Sequence, residues 1–334
     1  MLKHVFFIGW LLLSGTVPLL TSSEAPAAHV TIFAHGLGGD ATQRHPYEPF
    51  IGPMIGENGP EWNETVYGHK AGRWQSCLGQ DDDVKVIAKQ IAEHTEKNII
   101  LAGVSKGAAT IINTVGHLAE IRPDLLSNVS ALILDAPFDR PETAAAHMVK
   151  SAAQRQRTGG SSLGSLLAWS MEISAASPRF ESIARYAQTW LYRYNPAGIT
   201  PIKAVLSQWP LITNKTMVIA LVHSQDDEVI SVDASRRLYV ELQALGFKNT
   251  YLVEPARGWH ANAFWGLDAA HVSLALQYIY QRHGLPLAVT SPRYAPATPL
   301  SIDEASFIKT IQPSAEEVLA RMAPVTETSN TTKK

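Results

Sequence analysis

The chain contains one cysteine, Cys77, among 334 residues. A single thiol cannot build an internal disulfide framework or a metal site that needs several cysteine ligands. Its 28 basic and 30 acidic residues nearly cancel, so the formal charge is only −2. Because there is no basic excess, we expect no nucleic-acid partner. Apolar residues make up 46 % and charged residues 17 %, which excludes a disordered chain and is typical of a globular protein.

The sequence also lacks an apolar run of membrane length. The N-terminal run, residues 5–13, has nine residues, whereas a spanning helix needs about 20. Residues 1–23 combine a short basic start, this run and a small-residue exit, which is typical of a secretory signal peptide. We therefore expect a secreted or extracytoplasmic protein with no stable membrane span in the mature chain. Anchoring by an uncleaved signal is the alternative.

Short apolar runs alternate with longer segments of helical period. The runs predict strands at residues 29–34, 98–103, 130–134, 217–222 and 250–253, with a weaker one near 65–68. The helical segments are residues 84–95, 105–120, 232–245 and 269–283. Strands that are apolar throughout are typical of a parallel sheet covered on both faces. The alternation therefore predicts an α/β fold with a mostly parallel sheet.

Two regions interrupt this alternation. Residues 139–214 separate two predicted strands by about 75 residues, which is too long for a simple crossover. We interpret them as a helical cap insertion whose apolar residues, Trp169 and Trp190 among them, cover the site; a helical hairpin at the sheet edge is the alternative. Residues 286–334 are rich in Pro, Ser and Thr and predict a partly helical, loosely packed tail. The core then comprises residues 24–138 and 215–285.

The segment Gly103–Gly107 fits the pattern G-x-S-x-G. It follows a predicted strand and opens a predicted helix, which is the setting of a nucleophile elbow that exposes a serine at the edge of the sheet. The turn is sharp, so its flanking positions must lack bulk. Ser105 is the candidate nucleophile. Ser162 lies in a second copy of the pattern, residues 160–164, but polar residues without strand character precede it, so we reject it.

A serine hydroxyl needs a base, and the base needs an orienting acid. Two loops at the carboxyl ends of later strands offer these groups. Residues 223–231 contain Asp226 and Asp227, and residues 254–260 end at His260. Sites of α/β sheets form at this edge, and the order Ser, Asp, His is the one used with this elbow.

A glycine-rich loop, residues 35–39, follows the first predicted strand. Such a loop lets a backbone N–H approach the reacting carbonyl. We predict an oxyanion hole formed by the N–H groups of Leu37 and Lys106. The side chain of Lys106 is expected to point to solvent.

Taken together, these motifs resemble the α/β-hydrolase superfamily over residues 30–138 and 215–285. The loop from His223 to Val229 resembles the family's H-G/S-x-x-D-x-V acid loop, which implies Asp227 as the acid and leaves Asp226 as the alternative. His260, beside Gly258, matches the family's catalytic histidine. Asp135 ends the strand before the insertion, where a minority of the family places its acid. The resemblance implies an α/β-hydrolase fold, a mostly parallel sheet flanked by helices with a helical cap insertion.

The functional expectation is a secreted serine hydrolase that cleaves a small-molecule carboxylic ester or thioester through an acyl-enzyme. Ser105, His260 and Asp227 would carry the reaction, and neither a cofactor nor a metal is required. Two alternatives remain open. One is a serine peptidase on the same fold, and the other is a non-catalytic binding protein that retains the fold.

Overall fold

The computed structural model describes residues 29–37, 39, 47, 61–65, 77–95, 98–158, 178–285 and 303–322. The predicted signal peptide, Ser162 and Trp169 lie outside these residues, and the side chain of Trp190 is not described. None of the helices in these ranges has the length and apolar character needed to cross a membrane.

Six strands form one sheet, and every neighbouring pair is parallel. They are β1 (His29–Ala34), β2 (Glu61–Thr65), β3 (Asn98–Val104), β4 (Val129–Asp135), β5 (Val218–Val222) and β6 (Thr250–Val253). Their order across the sheet is β2-β1-β3-β4-β5-β6. Five strands lie where the apolar runs predicted them. The weaker strand predicted near 65–68 meets β2 only at Thr65, and residues 66–68 lie outside the described residues; β2 pairs with Val30–Ala34 through Glu61–Thr65.

Nine α-helices connect or flank the strands in the described part of the chain. They are α1 (Asp81–Glu93), α2 (Lys106–Ile121), α3 (Pro141–Thr158), α4 (Pro178–Tyr192), α5 (Pro201–Ser207), α6 (Asp233–Ala244), α7 (Ala269–His283), α8 (Glu304–Ile311) and α9 (Ala315–Met322). Short 3-10 helices lie at Pro123–Asn128 and Trp209–Leu211. Gly284 ends α7 in the left-handed conformation, with φ +60°, as its sequence position indicates.

Both faces of the sheet are covered by apolar layers. Side chains alternate between the two sides of a strand, so Ile32 and Leu101 pack with α2 and α6 on one face. Phe33 and Ile100 pack with α7 and α8 on the other. This double coverage is the reason that the strands are apolar throughout rather than alternating with polar residues.

The end of the predicted insertion belongs to the core. Ala204 and Val205 of α5 are fully buried in the same apolar layer as α2, and the indole of Trp209 donates a hydrogen bond to the carbonyl of Ile112 at 3.1 Å. Gly116 of α2 permits this approach, since a Cβ there would lie 3.1 Å from the Cβ of Ala204. α5 and Trp209, which lie within the range predicted as the insertion, thus pack in the core layer.

The C-terminal segment is packed rather than loose over residues 303–322. Phe307 and Ile311 are buried on one face of α8, and Val318 of α9 is buried against the other apolar layer. The hydroxyl of Tyr239 donates to the carbonyl of Pro313 at 2.7 Å. The expectation of loose packing is wrong here because apolar residues at helical spacing give each short helix a face to bury.

Candidate active site

Ser105 lies at the turn between β3 and α2. Its backbone has φ +53° and ψ −116°, in a region that residues with a side chain rarely adopt. Its N–H donates to the carbonyl of Asp135, at the end of the neighbouring strand, at 2.7 Å. A conformation of this kind persists only where the surroundings enforce it, and here both the sheet and the helix do.

Two glycines make this turn possible. A Cβ on Gly107 would lie 1.9 Å from the carbonyl oxygen of Ala34, and one on Gly103 would lie 2.8 Å from the amide nitrogen of Ala108. The sharp turn predicts that both positions lack bulk, and these contacts are the physical reason. The close approach at Gly107 also sets the loop that follows β1 against the first turn of α2.

His260 joins Ser105 to Asp227. Its Nε2 lies 2.9 Å from the Oγ of Ser105, and its Nδ1 lies 2.8 Å from the Oδ2 of Asp227. Asp226 is exposed, and among the described residues it forms no hydrogen bond or ion pair with His260 or Ser105. Of the two neighbouring aspartates, the structure therefore brings Asp227 to the histidine. Gly258 lets the loop that carries His260 approach the loop that carries Asp227, since a Cβ there would lie 2.3 Å from the Oγ of Ser224.

The carboxylate of Asp227 is buried and well supplied with donors. Its Oδ1 accepts hydrogen bonds from the N–H groups of Val229 and Ile230, at 2.8 and 2.9 Å. Its Oδ2 also lies 3.4 Å from the Nε2 of His223. Burial alone would raise the pKa of Asp227, but the hydrogen bonds from His223 and His260 lower it well below its ordinary value. The group is therefore an anion at neutral pH.

His223 is a supporting residue to which the sequence analysis assigned no role. It is fully buried, its Nδ1 lies 2.7 Å from the Oγ of Ser235, and its Nε2 lies 2.9 Å from the carbonyl of Ile230. Since a carbonyl only accepts, the proton is on Nε2, which also faces Asp227. The signal was present in the sequence, because His223 is the first residue of the acid-loop motif.

The surroundings of His260 favour the protonated form of its imidazole. Burial lowers the pKa of the imidazole, but the hydrogen bond and charge of Asp227 outweigh it, so that the pKa lies above its ordinary value. The charges of Asp135 and Glu228 act in the same direction. The imidazolium form is thus stabilised within the site.

Asp135, the alternative acid of the sequence analysis, has a different partner. Its Oδ2 accepts a hydrogen bond from the hydroxyl of Tyr47 at 2.7 Å, while its Oδ1 is buried without a hydrogen-bond partner. Burial raises the pKa of this carboxyl to about 6, although the hydrogen bond from Tyr47 acts against the shift. The structure therefore does not place Asp135 in the position of the orienting acid.

Leu37 and Lys106, the residues predicted to form the oxyanion hole, border the same cavity as Ser105. The expectation that the Lys106 side chain reaches solvent is wrong. The side chain is buried, with its Nζ 3.9 Å from the Oδ1 of Asp83. Burial lowers its pKa to about 8, although the charge of Asp83 acts against the shift. The ammonium turns inward because Asp83, in the first turn of α1, supplies a buried counter-charge.

The cavity beside Ser105 has a volume of about 160 Å³ and a largely apolar wall. Helices α3 and α4 of the predicted insertion form one side of it. From these helices come Pro141, Ala144, Ala145, Met148, Gln188 and Tyr192; the remaining wall is Leu37, Leu78, Lys106, Phe138, Val229 and Ile230. Within the described ranges, no three His, Cys, Asp or Glu side chains cluster as ligands of a metal ion.

No protein-family model and no curated protein sequence matches the chain. Among solved structures it is similar to an esterase of Pyrococcus furiosus, with 14 % identity over 77 % of this chain and 83 % of that one, at a TM-score of 0.49. A lipase-esterase related protein from Clostridium acetobutylicum is 14 % identical over 76 % of this chain and 95 % of that one, at a TM-score of 0.45. An acylaminoacyl peptidase of Pyrococcus horikoshii is 17 % identical over 86 % of this chain and 40 % of that one, at a TM-score of 0.43.

These identities and TM-scores are low, so the fold is assigned from the chain's own architecture. The sheet is parallel with helices on both faces, and the serine turn follows β3, with β1 and β4 on either side. Asp227 and His260 follow the last two strands, at the same edge of the sheet. The predicted architecture is confirmed by the chain itself: it has an α/β fold with a parallel sheet flanked by helices.

Proposed function

We propose that the protein is a serine hydrolase that cleaves a carboxylic ester or thioester through an acyl-enzyme on Ser105. The observation that carries the proposal is the hydrogen-bonded chain from Ser105 Oγ to His260 Nε2, at 2.9 Å, and from His260 Nδ1 to Asp227, at 2.8 Å. A nucleophile, a base and an orienting acid in this arrangement constitute the machinery of acyl transfer. The strained turn holds the hydroxyl at the wall of the cavity.

In the first half of the reaction, the Oγ of Ser105 attacks the carbonyl carbon of the substrate while its proton passes to the Nε2 of His260. The carbonyl oxygen becomes an oxyanion, which the N–H groups of Leu37 and Lys106 stabilise. One such donor lowers the barrier by about 3 kcal/mol. The intermediate then collapses, the C–O or C–S bond breaks, and the leaving alcohol or thiol takes the proton from His260.

In the second half, His260 takes a proton from water, which attacks the acyl group on Ser105. The carboxylic acid leaves, and Ser105 regains its proton. Throughout, Asp227 accepts the hydrogen bond from Nδ1, so that Nε2 faces the serine, and its negative charge stabilises the imidazolium. The two backbone N–H bonds to its Oδ1 keep that carboxylate in place.

The shape of the cavity supports an acyl substrate of small to medium size. Apart from Lys106 and Gln188, its wall beyond Ser105 is formed by aliphatic and aromatic residues, which favour a hydrocarbon chain over a charged group. Helices α3 and α4 complete that wall, and the resulting exclusion of water strengthens the electrostatic interactions at the serine. In this proposal the two helices act as a cap that selects the acyl group.

Secretion belongs to the same proposal and is supported by the pattern of residues 1–23. N-terminal sequencing of the protein recovered from the medium or periplasm of producing cells tests it. A mature chain that begins near residue 24 is expected, and an intact N-terminus on a cell-associated protein would favour the anchored alternative.

The decisive experiment combines covalent labelling with hydrolysis of a panel of esters. A fluorophosphonate probe phosphonylates activated serines, so wild-type protein is expected to take up one equivalent, on the peptide that contains Ser105. The Ser105→Ala variant is expected to lose both labelling and ester hydrolysis, while Ser162→Ala keeps both. Faster cleavage of acylated peptide anilides than of esters would support a peptidase instead, and an unreactive wild-type protein would support the binding alternative.

A further inference from the structure

Tyr47 occupies a position between β4 and the loop that carries His260. Its hydroxyl donates to the Oδ2 of Asp135 at 2.7 Å and lies 3.3 Å from the carbonyl oxygen of Ala261. Ala261 is the residue directly after His260. The phenol therefore connects the end of a central strand to the backbone of the proposed base, across 88 and 214 residues of sequence.

The ring of Tyr47 is held tightly enough to act as a fixed support. It is fully buried and packs against Phe33 of β1, with ring centroids 5.3 Å apart. On its other sides lie Phe264 at 4.8 Å and Trp265 at 5.1 Å, both from the segment after His260. Aromatic packing on several sides leaves the hydroxyl little freedom to move.

The backbone that this hydroxyl contacts is in a strained conformation. Ala261 has φ +59°, which is costly for a residue with a Cβ. A strained residue beside a base needs contacts that hold it, because a shift of about 1 Å at a reacting group can lower the rate about a hundredfold. The contact from Tyr47 is such a restraint.

The carboxyl of Asp135 has an electrostatic relation to the same imidazole. The titratable groups that influence it are Tyr47, His260, His223 and Asp227. When Asp135 is ionised, its charge favours the protonated form of His260. Its Oδ1 is buried and has no hydrogen-bond partner.

We propose that Tyr47 and Asp135 are positioning residues for His260: the phenol, hydrogen-bonded to the carboxyl of Asp135, fixes the backbone beside the imidazole. The inference rests on the proposed function, because it assigns His260 the role of the base. Asp135 meets Ser105 only through its backbone carbonyl, which accepts the N–H of Ser105 at 2.7 Å, and its carboxyl is bonded to Tyr47. Their effect is exerted through the histidine.

The first test removes the hydroxyl alone. In Tyr47→Phe the aromatic packing is retained, but the contacts with Asp135 and Ala261 are lost. We expect kcat for a short-chain ester to fall about tenfold with KM changed less than about twofold, since the misplaced base affects chemistry rather than binding. The rate of phosphonylation of Ser105 is expected to fall by the same factor, as it depends on the same base.

The second test removes the charge alone. In Asp135→Asn the shape of the side chain is kept, but His260 loses a neighbouring negative charge. The acid limb of the pH profile of kcat/KM, which reports protonation of the base, is then expected to move to lower pH. A purely structural role would change the rate without moving this limb. Asp226→Asn, which removes an exposed charge beside Asp227, is the matched control and is expected to leave the limb in place.

The possible outcomes distinguish failure of the positioning role from failure of the serine mechanism. Wild-type rates and an unchanged acid limb in both variants would overturn the inference while leaving the serine mechanism intact. If either variant does not fold, the other decides. A wild-type protein that neither hydrolyses esters nor reacts with the phosphonate would refute the proposed function itself.

Discussion

Two buried carboxyl groups lie at the same edge of the sheet, Asp135 at the end of β4 and Asp227 in the loop after β5, yet their ionisation differs. Burial raises the pKa of Asp135 to about 6. Asp227 is also buried, but its hydrogen bonds hold its pKa well below the ordinary value. Burial therefore does not decide which carboxyl is an anion at neutral pH.

The difference lies in the donors that surround each group. Asp227 accepts from two backbone N–H groups and from His260, and it also faces His223. Asp135 accepts from one phenol, and its second oxygen has no partner. A carboxylate with several donors is stabilised as an anion, whereas one with a single donor remains partly protonated. The acid loop therefore suits Asp227 to the proposed role of orienting acid, and the end of β4 does not provide the same environment.

The largest loss of activity is expected when Asp227, the carboxylate with more hydrogen-bond donors, is replaced. Asp227→Asn keeps the shape of the side chain but removes the acceptor that selects the tautomer of His260. We expect turnover to fall about 10⁴-fold, as in other enzymes in which this acid is changed to its amide. Asp226→Asn should change turnover by less than about twofold. The opposite ranking in ester hydrolysis would assign the acid to Asp226, and a small effect of both would point to Asp135.

A smaller effect is expected at Asp135, whose ionisation should change the free energy of unfolding with pH. The folded protein keeps the carboxyl protonated up to a pH of about 6, whereas the unfolded chain loses the proton near pH 4. Because the folded state binds the extra proton between these values, stability falls as the pH rises through this window. A pKa difference of roughly two between the folded and unfolded states corresponds to about 3 kcal/mol of unfolding free energy.

Asp135→Asn has no proton to lose and should escape this destabilisation. Its free energy of unfolding, relative to the wild-type protein, is expected to increase by about 3 kcal/mol between pH 4 and pH 7 and then to level off. Denaturant titrations at several pH values measure this. A difference that stays constant over the whole range would show that Asp135 ionises at an ordinary pH.

The smallest of the three effects is expected from replacing His223, one of the neighbours of Asp227. His223→Phe fills a similar volume but offers no N–H to the carboxylate. The remaining bonds from His260 and from the backbone should keep the group ionised, so turnover is expected to fall only about tenfold. The unfolding free energy should decrease by about 2 kcal/mol, since Ser235 and the carbonyl of Ile230 lose a buried partner. An unchanged turnover would show that His223 does not support the acid.

Much of the sheet and of the candidate site can be predicted from the sequence, because both depend on local patterns. The apolar runs predict five of the six strands, and the small residues around Ser105 predict the turn before the serine. The acid loop and the glycine before His260 indicate which side chains meet at the edge of the sheet. In each case the residue types within a few positions fix the local backbone, and the parallel sheet brings the loops together.

Other features depend on contacts between distant segments. Tyr47 lies in a stretch without helical or strand period, and its contact with Asp135 spans 88 residues. The burial of Lys106 depends on Asp83, in a different helix. The packing of α8 and α9 depends on surfaces of α6 and α7 that no short pattern describes. Such contacts follow from the tertiary structure and are not encoded within a short window.

The central claim, a covalent acyl-enzyme on Ser105, is tested most directly by trapping that intermediate. A p-nitrophenyl ester mixed with the protein and quenched in acid within milliseconds should leave one acyl group per chain, detected by intact-protein mass spectrometry and mapped to the peptide that contains Ser105. The Ser105→Ala variant should gain no mass. Acylation of another residue, or ester hydrolysis by Ser105→Ala at the wild-type rate, would contradict the account.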